Sequence, residues 1–263
     1  MATAAKRPAR PSPFDDGDLY DRICAGLDYG IDFYVAIARE AKGPVLEIAC
    51  GTGRVLIPCL EAGADVEGLD IYASMLETLR KKASAKALAP RVHVGDMREF
   101  ALPRRFARIL IPFNAFVHCL TPEEQLGSLR CCHEHLLPGG ALVFDGFLPG
   151  PKYFAEGNGS RVLEGEALDP RTGHRMRMYD TRNLDHATQV QHSFMEVEEI
   201  DEKGVVVAVH PSETLARWTT RPEMESLLAR AGFARWELFG GFDRSEPRED
   251  EPLVVVAWKG EGP

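Results

Sequence analysis

A glycine-rich loop at residues 47–54 carries the strongest chemical signal in the sequence. It reads Glu-Ile-Ala-Cys-Gly-Thr-Gly-Arg and joins an apolar run to a segment with helical periodicity. Glycines at 51 and 53 let a ligand approach the backbone closely, and a helix start offers N–H groups without partners. Asp70 follows Glu47 by 23 residues, at the end of the next apolar run. A carboxylate there can hold a ribose diol, so the pattern predicts a nucleoside ligand.

The kind of nucleoside follows from the third glycine position and from Glu47. A dinucleotide-binding loop of the G-x-G-x-x-G type needs glycine where this sequence has Leu56. Glu47 would also bring a carboxylate close to the negative charges of a pyrophosphate, whereas it suits a ligand with an ammonium group. S-adenosylmethionine carries an ammonium and a sulfonium but no phosphate. The charge pattern therefore favours this ligand, and an NAD-dependent oxidoreductase is the less favoured alternative.

The amino-acid composition restricts the classes of protein to which this chain can belong. The 263 residues are 44% apolar and 27% charged, which suits one large globular domain or a domain with an insertion. A formal charge of −9 argues against nucleic acid as a partner. The longest uncharged apolar stretch, residues 109–120, is too short to cross a membrane, so no membrane partner is predicted. Six cysteines without a C-x-x-C pair indicate a reduced, cytoplasmic protein.

Alternating strands and helices predict how the loop is positioned. Apolar runs at residues 44–49, 65–70, 92–95, 106–111 and 141–145 are typical of parallel strands, and helical periodicity lies between them. We therefore expect a doubly wound α/β fold: a mostly parallel, seven-stranded Rossmann-like sheet with helices on both faces. After residue 149, three stretches with a period of two predict an antiparallel β insertion after the fifth strand. A helix at 221–231 and strands at 234–239 and 253–258 complete the sheet.

Four motifs in order resemble a class I S-adenosylmethionine-dependent methyltransferase over residues 45–149. They are Glu47 to Gly53, Gly68-Leu69-Asp70, Gly95-Asp96-Met97 and Leu137-Pro138-Gly139-Gly140. The resemblance implies that Glu47, Gly51, Gly53 and Arg54 contact the methionine end of the cofactor and that Asp70 holds its ribose. It further implies adenine contacts from Ile71, Met75 and Asp96, with Met97, Phe113 and Tyr20 completing the cofactor site.

A narrower resemblance covers nearly the whole chain. Tyr20, the stretch from Phe113 to His118 and the antiparallel insertion are similar to nucleotide-aminosugar N,N-dimethyltransferases, and glycine N-methyltransferases share the Asn-x-x-x-His pattern. This resemblance implies that Tyr20, His118, Asp145 and Arg244 surround the acceptor. From the residues alone, each has a plainer interpretation: core packing for Tyr20 and His118, a loop cap for Asp145, and a solvated charge cluster for Arg244.

The predicted organisation has five parts. They are a disordered tail (1–15), an N-terminal helical lid (16–42), a cofactor-binding core (43–149), the β insertion (150–218) and a closing helix with two strands (219–263). The insertion is expected to roof the acceptor site, and it is also a candidate homodimer surface. The run Cys131-Cys132-His133-Glu134-His135 lacks metal-ligand spacing, so no metal is predicted.

The function predicted from these observations is methylation of a small-molecule acceptor, with nitrogen as the favoured atom. His118 is the candidate orienting group or base, because a histidine titrates close to neutral pH. O- or C-methylation of a natural-product intermediate is the first alternative. A binding partner with a methyltransferase fold but no activity is the second.

Overall fold

The computed structural model describes residues 11–260, and this part of the chain contains eleven strands and seven α-helices. The helices are α1 Gly17–Ile23, α2 Ile31–Glu40, α3 Leu56–Glu61, α4 Ala73–Ala85, α5 Pro122–His135, α6 Pro151–Glu156 and α7 Arg221–Ala231. The strands are β1 Val45–Ile48, β2 Val66–Asp70, β3 Arg91–Val94, β4 Phe106–Ile111, β5 Leu136–Phe147, β6 Asn158–Leu168, β7 Arg175–Asp185, β8 Val190–Ile200, β9 Val206–Arg217, β10 Arg235–Phe239 and β11 Pro252–Trp258.

Seven of these strands form one sheet in the order β10-β11-β5-β4-β1-β2-β3. Neighbouring strands are parallel except that β11 runs antiparallel to both β10 and β5. β1 and β4 are apolar apart from Glu47 and Arg108 and almost wholly buried, because helices cover both faces of the sheet. The order reverses at β1 and β4, so their carboxyl ends border the crevice in which open α/β sheets bind ligands. The expected fold class is confirmed.

The β insertion is a second sheet of four antiparallel strands, in the order β6-β7-β8-β9. The sequence pattern indicated three stretches, and the missed boundary is the turn between β7 and β8. Asp185 makes that turn by accepting hydrogen bonds from the backbone N–H of Ala187 and from the hydroxyl of Thr188, and Gln189 adopts a left-handed φ of 60°. A turn without glycine or proline gave no conventional signal.

The first N-terminal helix, α1, contacts both α4 of the core and strands β6 and β7 of the insertion, whereas α2 packs against α3 and β4. The loop between α1 and α2 contains Gly26 and Gly30, which both have a left-handed φ. Arg22 on α1 pairs with Asp169 at 2.6 Å and with Glu199 at 2.7 Å, and both carboxylates belong to the insertion. Because Asp169 is fully buried, these pairs fix the position of α1 against the second sheet. α1 and the insertion are therefore held together as one unit.

Two local expectations were wrong. Residues 11–15 were expected to be part of a disordered tail, but Phe14 packs its ring against Tyr20 and Tyr72 at centroid distances of 6.0 and 5.7 Å. Residues 1–10, the rest of that tail, lie outside the described residues. The fifth strand was expected at 141–145, whereas β5 begins at Leu136 and includes Pro138-Gly139-Gly140 as a bulge. A Cβ at Gly140 would lie 2.8 Å from the carbonyl oxygen of Leu137, so the bulge requires glycine.

Candidate active site

A cavity of about 540 Å³ opens at the carboxyl ends of β1, β2 and β4. Its floor is formed by residues at and after the ends of β1 to β4, one side by residues 12–20 with Tyr72, and its roof by His118 and one segment of β9. Three groups of residues line it: floor residues Glu47, Gly51, Arg54, Asp70, Ile71, Met75, Asp96, Met97 and Phe113, side residues Ser12, Phe14, Tyr20 and Tyr72, and roof residues His118, Glu213, Thr214 and Leu215. Its size falls in the range of roughly 300–1,000 Å³ that is usual for ligand pockets.

The loop after β1 owes its shape to three residues with left-handed backbone. Ala49, Gly51 and Gly53 have φ values of 54°, 51° and 84°. A Cβ at Gly51 would meet Cε of Met75 at 3.3 Å, so glycine keeps the cavity open there. Gly53 was expected to contact the cofactor but does not line the cavity. Its missing Cβ instead makes room for Leu79 and Ile57, which would lie at 2.9 and 3.0 Å.

Glu47 is a buried carboxylate with one oxygen unpaired. The residue is 2% exposed, and its Oε2 has no hydrogen-bond partner among the described residues. Burial, and then the charge of Asp70, raise the pKa of Glu47 well above its usual range. Such a group is costly unless a ligand compensates it. An ammonium group bound to Oε2 would compensate the buried carboxylate. The α-ammonium of S-adenosylmethionine is such a group.

Asp70 ends β2 and is held by the backbone around it. Its two oxygens accept hydrogen bonds from the backbone N–H groups of Gly51 at 2.7 Å and Tyr72 at 2.8 Å. Burial raises the pKa of Asp70 although these bonds oppose the shift. A carboxylate offers about four acceptor positions, so two remain for the hydroxyls of a ribose. Together, Glu47 and Asp70 fit the two polar ends of an S-adenosylmethionine ligand.

The far end of the floor is suited to an adenine. Met75, Met97 and the exposed side chain of Ile71 supply apolar surface there, and all three line the cavity. Asp96 also lines this end, but Arg98, which the sequence analysis did not single out, binds it through Nε at 2.9 Å and through its backbone N–H. Burial raises the pKa of Asp96, and the contacts with Arg98 outweigh this and lower it. Asp96 is therefore an ionised acceptor in a fixed orientation.

Arg54 and Tyr20 close the side of the cavity next to α1. The Arg54 guanidinium lies 3.9 Å above the ring of Phe113, donates to the backbone carbonyl of Leu27 and lies 3.5 Å from the Tyr20 hydroxyl. Burial raises the pKa of Tyr20 to about 12 although Arg54 opposes the shift. Tyr20 thus keeps its proton at neutral pH and can donate a hydrogen bond into the cavity.

His118 is oriented by the roof. It ends a 3₁₀ helix, Ala115–His118, and its Nδ1 lies 3.0 Å from the backbone carbonyl oxygen of Leu215 on β9. A carbonyl oxygen only accepts hydrogen bonds, so Nδ1 carries the proton and Nε2 has the free lone pair. Burial lowers the pKa of His118 below its usual value. The imidazole is therefore neutral at pH 7, and Phe14 packs edge-on against it at 5.3 Å.

Two residues expected near the acceptor do not line the cavity. Asp145 is fully buried and accepts hydrogen bonds from the Tyr34 hydroxyl at 2.5 Å and from the backbone N–H groups of Phe113 and Asn114, both at 2.9 Å. These two residues have left-handed φ values of 58° and 56°, so Asp145 stabilises the strained loop before His118. Arg244 lies on an exposed loop, with its guanidinium 5.6 Å from the ring centroid of Phe239.

The sequence analysis missed the residues that close the cavity from above. Ser12 and Phe14 stand in a proline-rich stretch that resembles a tail, and Glu213 to Leu215 stand in a strand with ordinary alternation. The backbone N–H of Glu213 donates to the carbonyl of Pro11 at 3.0 Å, which joins the two segments. Neither segment carries a local motif. Only the packing of residues about 200 positions apart brings them together.

Comparison with known proteins places the core in a family. Residues 45–140 match the model of a methyltransferase domain. An N,N-dimethyltransferase of dTDP-3-amino-3,4,6-trideoxy-α-D-glucopyranose from Streptomyces venezuelae is 32% identical over 150 residues, which are 54% of this chain and 61% of that protein. The chain thus spans less than two thirds of that relative. The cypemycin N-terminal methyltransferase of a Streptomyces species is 28% identical over 94% of this chain and 98% of that protein.

The fold of the whole chain is also shared with solved structures. A sugar N-methyltransferase from Streptoalloteichus sp ATCC 53650 superposes with a TM-score of 0.73 at 22% identity, covering 99% of both chains. No helix within residues 11–260 is long and apolar enough to cross a bilayer. The motifs, the strand order and the family match agree, and S-adenosylmethionine is the cofactor of this family. Residues 45–140 are therefore a methyltransferase domain, and the chain shares its fold with class I S-adenosylmethionine-dependent methyltransferases.

Proposed function

We propose that this protein transfers a methyl group from S-adenosylmethionine to an amine nitrogen of a small-molecule acceptor. The observation that carries the proposal is the orientation of His118 in the cavity wall. Its Nδ1 lies 3.0 Å from the carbonyl oxygen of Leu215, and burial lowers its pKa. A neutral imidazole whose free nitrogen belongs to a cofactor-binding cavity is the group that amine methylation needs to accept a proton.

Floor residues would hold the cofactor. Glu47 would bind its ammonium, Arg54 its carboxylate, Asp70 its ribose and Asp96 its adenine amino group. When bound, S-adenosylmethionine supplies a methyl group that is already activated by a positive sulfur. The remaining task of the protein is to hold an acceptor nitrogen at attack distance, which can contribute several kcal/mol.

His118 would accept the proton that the acceptor nitrogen loses. As the new nitrogen–carbon bond forms and the sulfur–carbon bond breaks, the nitrogen must lose one proton. We assign that proton to Nε2 of His118, because Nδ1 already carries one. The carbonyl of Leu215 would then stabilise the imidazolium through the Nδ1–H bond. Positioned acid–base groups of this kind contribute roughly 10²–10⁴-fold to rates.

The side of the cavity keeps the reacting atoms away from water. Tyr20 and Phe14 pack together at 6.0 Å, and Phe14 also contacts His118 and Tyr72. We propose that Tyr20 covers the methyl donor as part of this aromatic wall. Exclusion of water strengthens the electrostatic interactions within the site.

The relatives support nitrogen as the acceptor atom. The S. venezuelae relative is named for methylating an amino group of a sugar, and the cypemycin enzyme for methylating an N-terminus. The second match extends over nearly the whole of both chains, so it includes the roof and the start of α1 as well as the core. O- and C-methylation are the alternatives.

The test is a methylation assay with matched acceptors. Purified protein and S-adenosylmethionine are incubated with pairs that differ in one atom, such as benzylamine with benzyl alcohol and an aminosugar with its parent sugar. We expect S-adenosylhomocysteine and a methylated product only with the amines. Product from the alcohols or phenols alone would contradict the proposal. Cofactor binding without turnover on any acceptor would favour the non-catalytic alternative.

A further inference from the structure

Arg98 lies in the turn after β3 and takes up most of the acceptor positions of Asp96. The backbone N–H and the Nε of Arg98 both donate to Oδ1 of Asp96 at 2.9 Å, and a terminal guanidinium nitrogen donates to Oδ2. A carboxylate offers about four acceptor positions, so these donors leave about one, on Oδ2. Because Asp96 lines the cavity, a ligand there meets an acceptor for a single N–H group.

Glu124, in the first turn of α5, holds the other end of the Arg98 guanidinium. Its Oε1 accepts from Nη1 of Arg98 at 2.8 Å, and its Oε2 accepts from the backbone N–H of Leu120 at 2.6 Å. The backbone N–H of Glu124 in turn donates to the hydroxyl of Thr121, which caps the helix. A guanidinium is a rigid planar fork, so its two ends cannot turn independently. Arg98 therefore cannot rotate away from Asp96 without also leaving Glu124.

The exposure of these ion pairs indicates that they act on geometry rather than on stability. The side chains of Arg98, Glu124 and Asp96 are 41%, 31% and 23% exposed. Ion pairs with this much exposure contribute little to the free energy of unfolding, because water and salt screen the charges. An arginine that contacts both oxygens nevertheless fixes the plane of the Asp96 carboxylate. A carboxylate without such a partner would turn to suit several kinds of ligand.

We infer that Arg98 and Glu124 are positioning residues that make the cofactor site selective for a base with an exocyclic amino group. The inference rests on the proposed function, in which Asp96 binds the adenine amino group, and extends it to the residues that orient this carboxylate. One N–H of the amino group would take the remaining acceptor position of Asp96. A purine with a hydrogen in place of the amino group would leave that position empty, and the contacts at Glu47 and Asp70 would not replace it.

Calorimetric titration of the full-length chain with two ligands tests this selectivity. The ligands are S-adenosylhomocysteine and its analogue with a hydrogen in place of the 6-amino group, so they differ in a single donor group. We expect the analogue to bind roughly 10- to 100-fold more weakly, as for the loss of a hydrogen bond to a charged group. Equal dissociation constants would overturn the inference. The titrations need neither acceptor nor turnover, so they decide the inference even if amine methylation fails.

The variant Arg98→Met tests the positioning role, because it keeps much of the side-chain length and removes the guanidinium. We expect S-adenosylhomocysteine to bind about 10-fold more weakly and its advantage over the analogue to decrease to about 3-fold or less, with little change in Tm. A purely structural role would weaken both ligands by the same factor. An advantage as large as in the wild type would therefore overturn the inference.

Glu124→Gln tests the outer contact of the guanidinium. Glutamine keeps an oxygen for the N–H of Leu120 but removes the charge that holds Arg98, so we expect an advantage between those of wild type and Arg98→Met. Glu123→Gln, at the exposed neighbouring position in the same helical turn, is the matched control and should keep the wild-type advantage. If circular dichroism shows that Arg98→Met is unfolded, Glu124→Gln decides, and equal advantages in Glu124→Gln and Glu123→Gln would then overturn the inference.

Discussion

The two ends of the cavity are built in different ways. The cofactor end uses loops that follow β1, β2 and β3, and Asp70 and Asp96 are held there by backbone N–H groups that lie at most 19 positions away. The acceptor end combines the start of the chain, a 3₁₀ helix and β9, and it is fixed by contacts such as that between His118 and Leu215, 97 positions apart. A change at one end should therefore leave the other intact, and the separation can be tested.

Removal of the proposed base should have the largest effect. We expect His118→Ala to lower kcat by roughly 10²–10⁴-fold, with an unchanged Kd for S-adenosylmethionine, because the contacts of His118 are with the roof. The wild-type kcat should be level above pH 7 and decline only below the usual histidine pKa, since burial lowers the pKa of His118. A normal kcat in His118→Ala, measured with saturating acceptor, would remove His118 from the mechanism.

Loss of the ribose ligand should affect the opposite end alone. Asp70→Ala removes hydrogen bonds that ground and transition states share, so cofactor affinity should decrease by about 100-fold while kcat at saturation changes little. Gly51 and Tyr72 would also lose the acceptor of their backbone N–H groups. Calorimetric titration measures the affinity, and the exposed Glu77→Ala on α4 is the control. Equal cofactor Kd values for the two variants would contradict the ribose assignment.

Asp145 should contribute both to the free energy of unfolding and to the position of the loop before His118. Asp145→Asn would place an amide N–H against a backbone N–H of Phe113 or Asn114, and we expect a decrease of about 2 kcal/mol in the free energy of unfolding. Tyr34→Phe removes one hydrogen bond to the same carboxylate and should decrease it by about 1 kcal/mol.

A positioning role of Asp145 can be distinguished from a purely structural role by measuring kcat of the folded variant. If Asp145 places the loop before His118, kcat should decrease in Asp145→Asn at a temperature where the variant is fully folded, with little change in cofactor Kd. Normal kcat in the folded variant would reduce Asp145 to a structural residue. The comparison with Tyr34→Phe shows whether the effect follows the number of lost bonds.

The smallest expected effect is on the stability of the cofactor-free protein. Because the pKa of Glu47 is raised in the folded state, the folded protein holds this proton more tightly than the unfolded chain. The contribution of Glu47 to the free energy of unfolding is therefore greatest below the ordinary glutamate pKa and decreases as pH rises toward the raised value. Glu47→Gln should remove this dependence and stabilise the free protein at pH 8 by on the order of 1 kcal/mol. Denaturant unfolding at pH 5 and pH 8 measures it.

The same variant should bind S-adenosylmethionine less tightly, since the carboxylate for its ammonium is gone. Titration of Glu47→Gln with the cofactor at pH 8 measures this loss. A variant that is both more stable and weaker in binding would show that Glu47 is kept for the ligand. Unchanged stability at both pH values would mean that the buried carboxyl is compensated within the protein.

Local sequence signals predicted that Glu47, Gly51 and Asp70 lie close together, and these residues line one cavity. Glycines, a strand-terminal acid and apolar runs are short-range features, and they also predicted nearly all strand and helix positions. Two other residues with recognisable motifs do not line the cavity. Gly53 makes room for Leu79 rather than for a ligand, and Asp145 ends a strand but bonds Tyr34, which lies 111 positions earlier.

The acceptor end could not be predicted in the same way, because it depends on contacts between distant segments. Phe14 lies among prolines, and nothing within ten residues indicates that its ring covers His118. Glu213, Thr214 and Leu215 line the cavity although β9 carries no motif there, and this depends on the position of the whole insertion. Its position follows from the ion pairs of Arg22 with Asp169 and Glu199, a long-range feature that no single motif records.

The hydrogen bond between Pro11 and Glu213 has a practical consequence for protein production. It fixes Pro11 against the roof of the cavity, next to Ser12 and Phe14 in the cavity wall. A truncation that removes residues 1–15 as a dispensable tail would therefore also remove part of that wall. Kinetic work should use protein that retains residues 11–15.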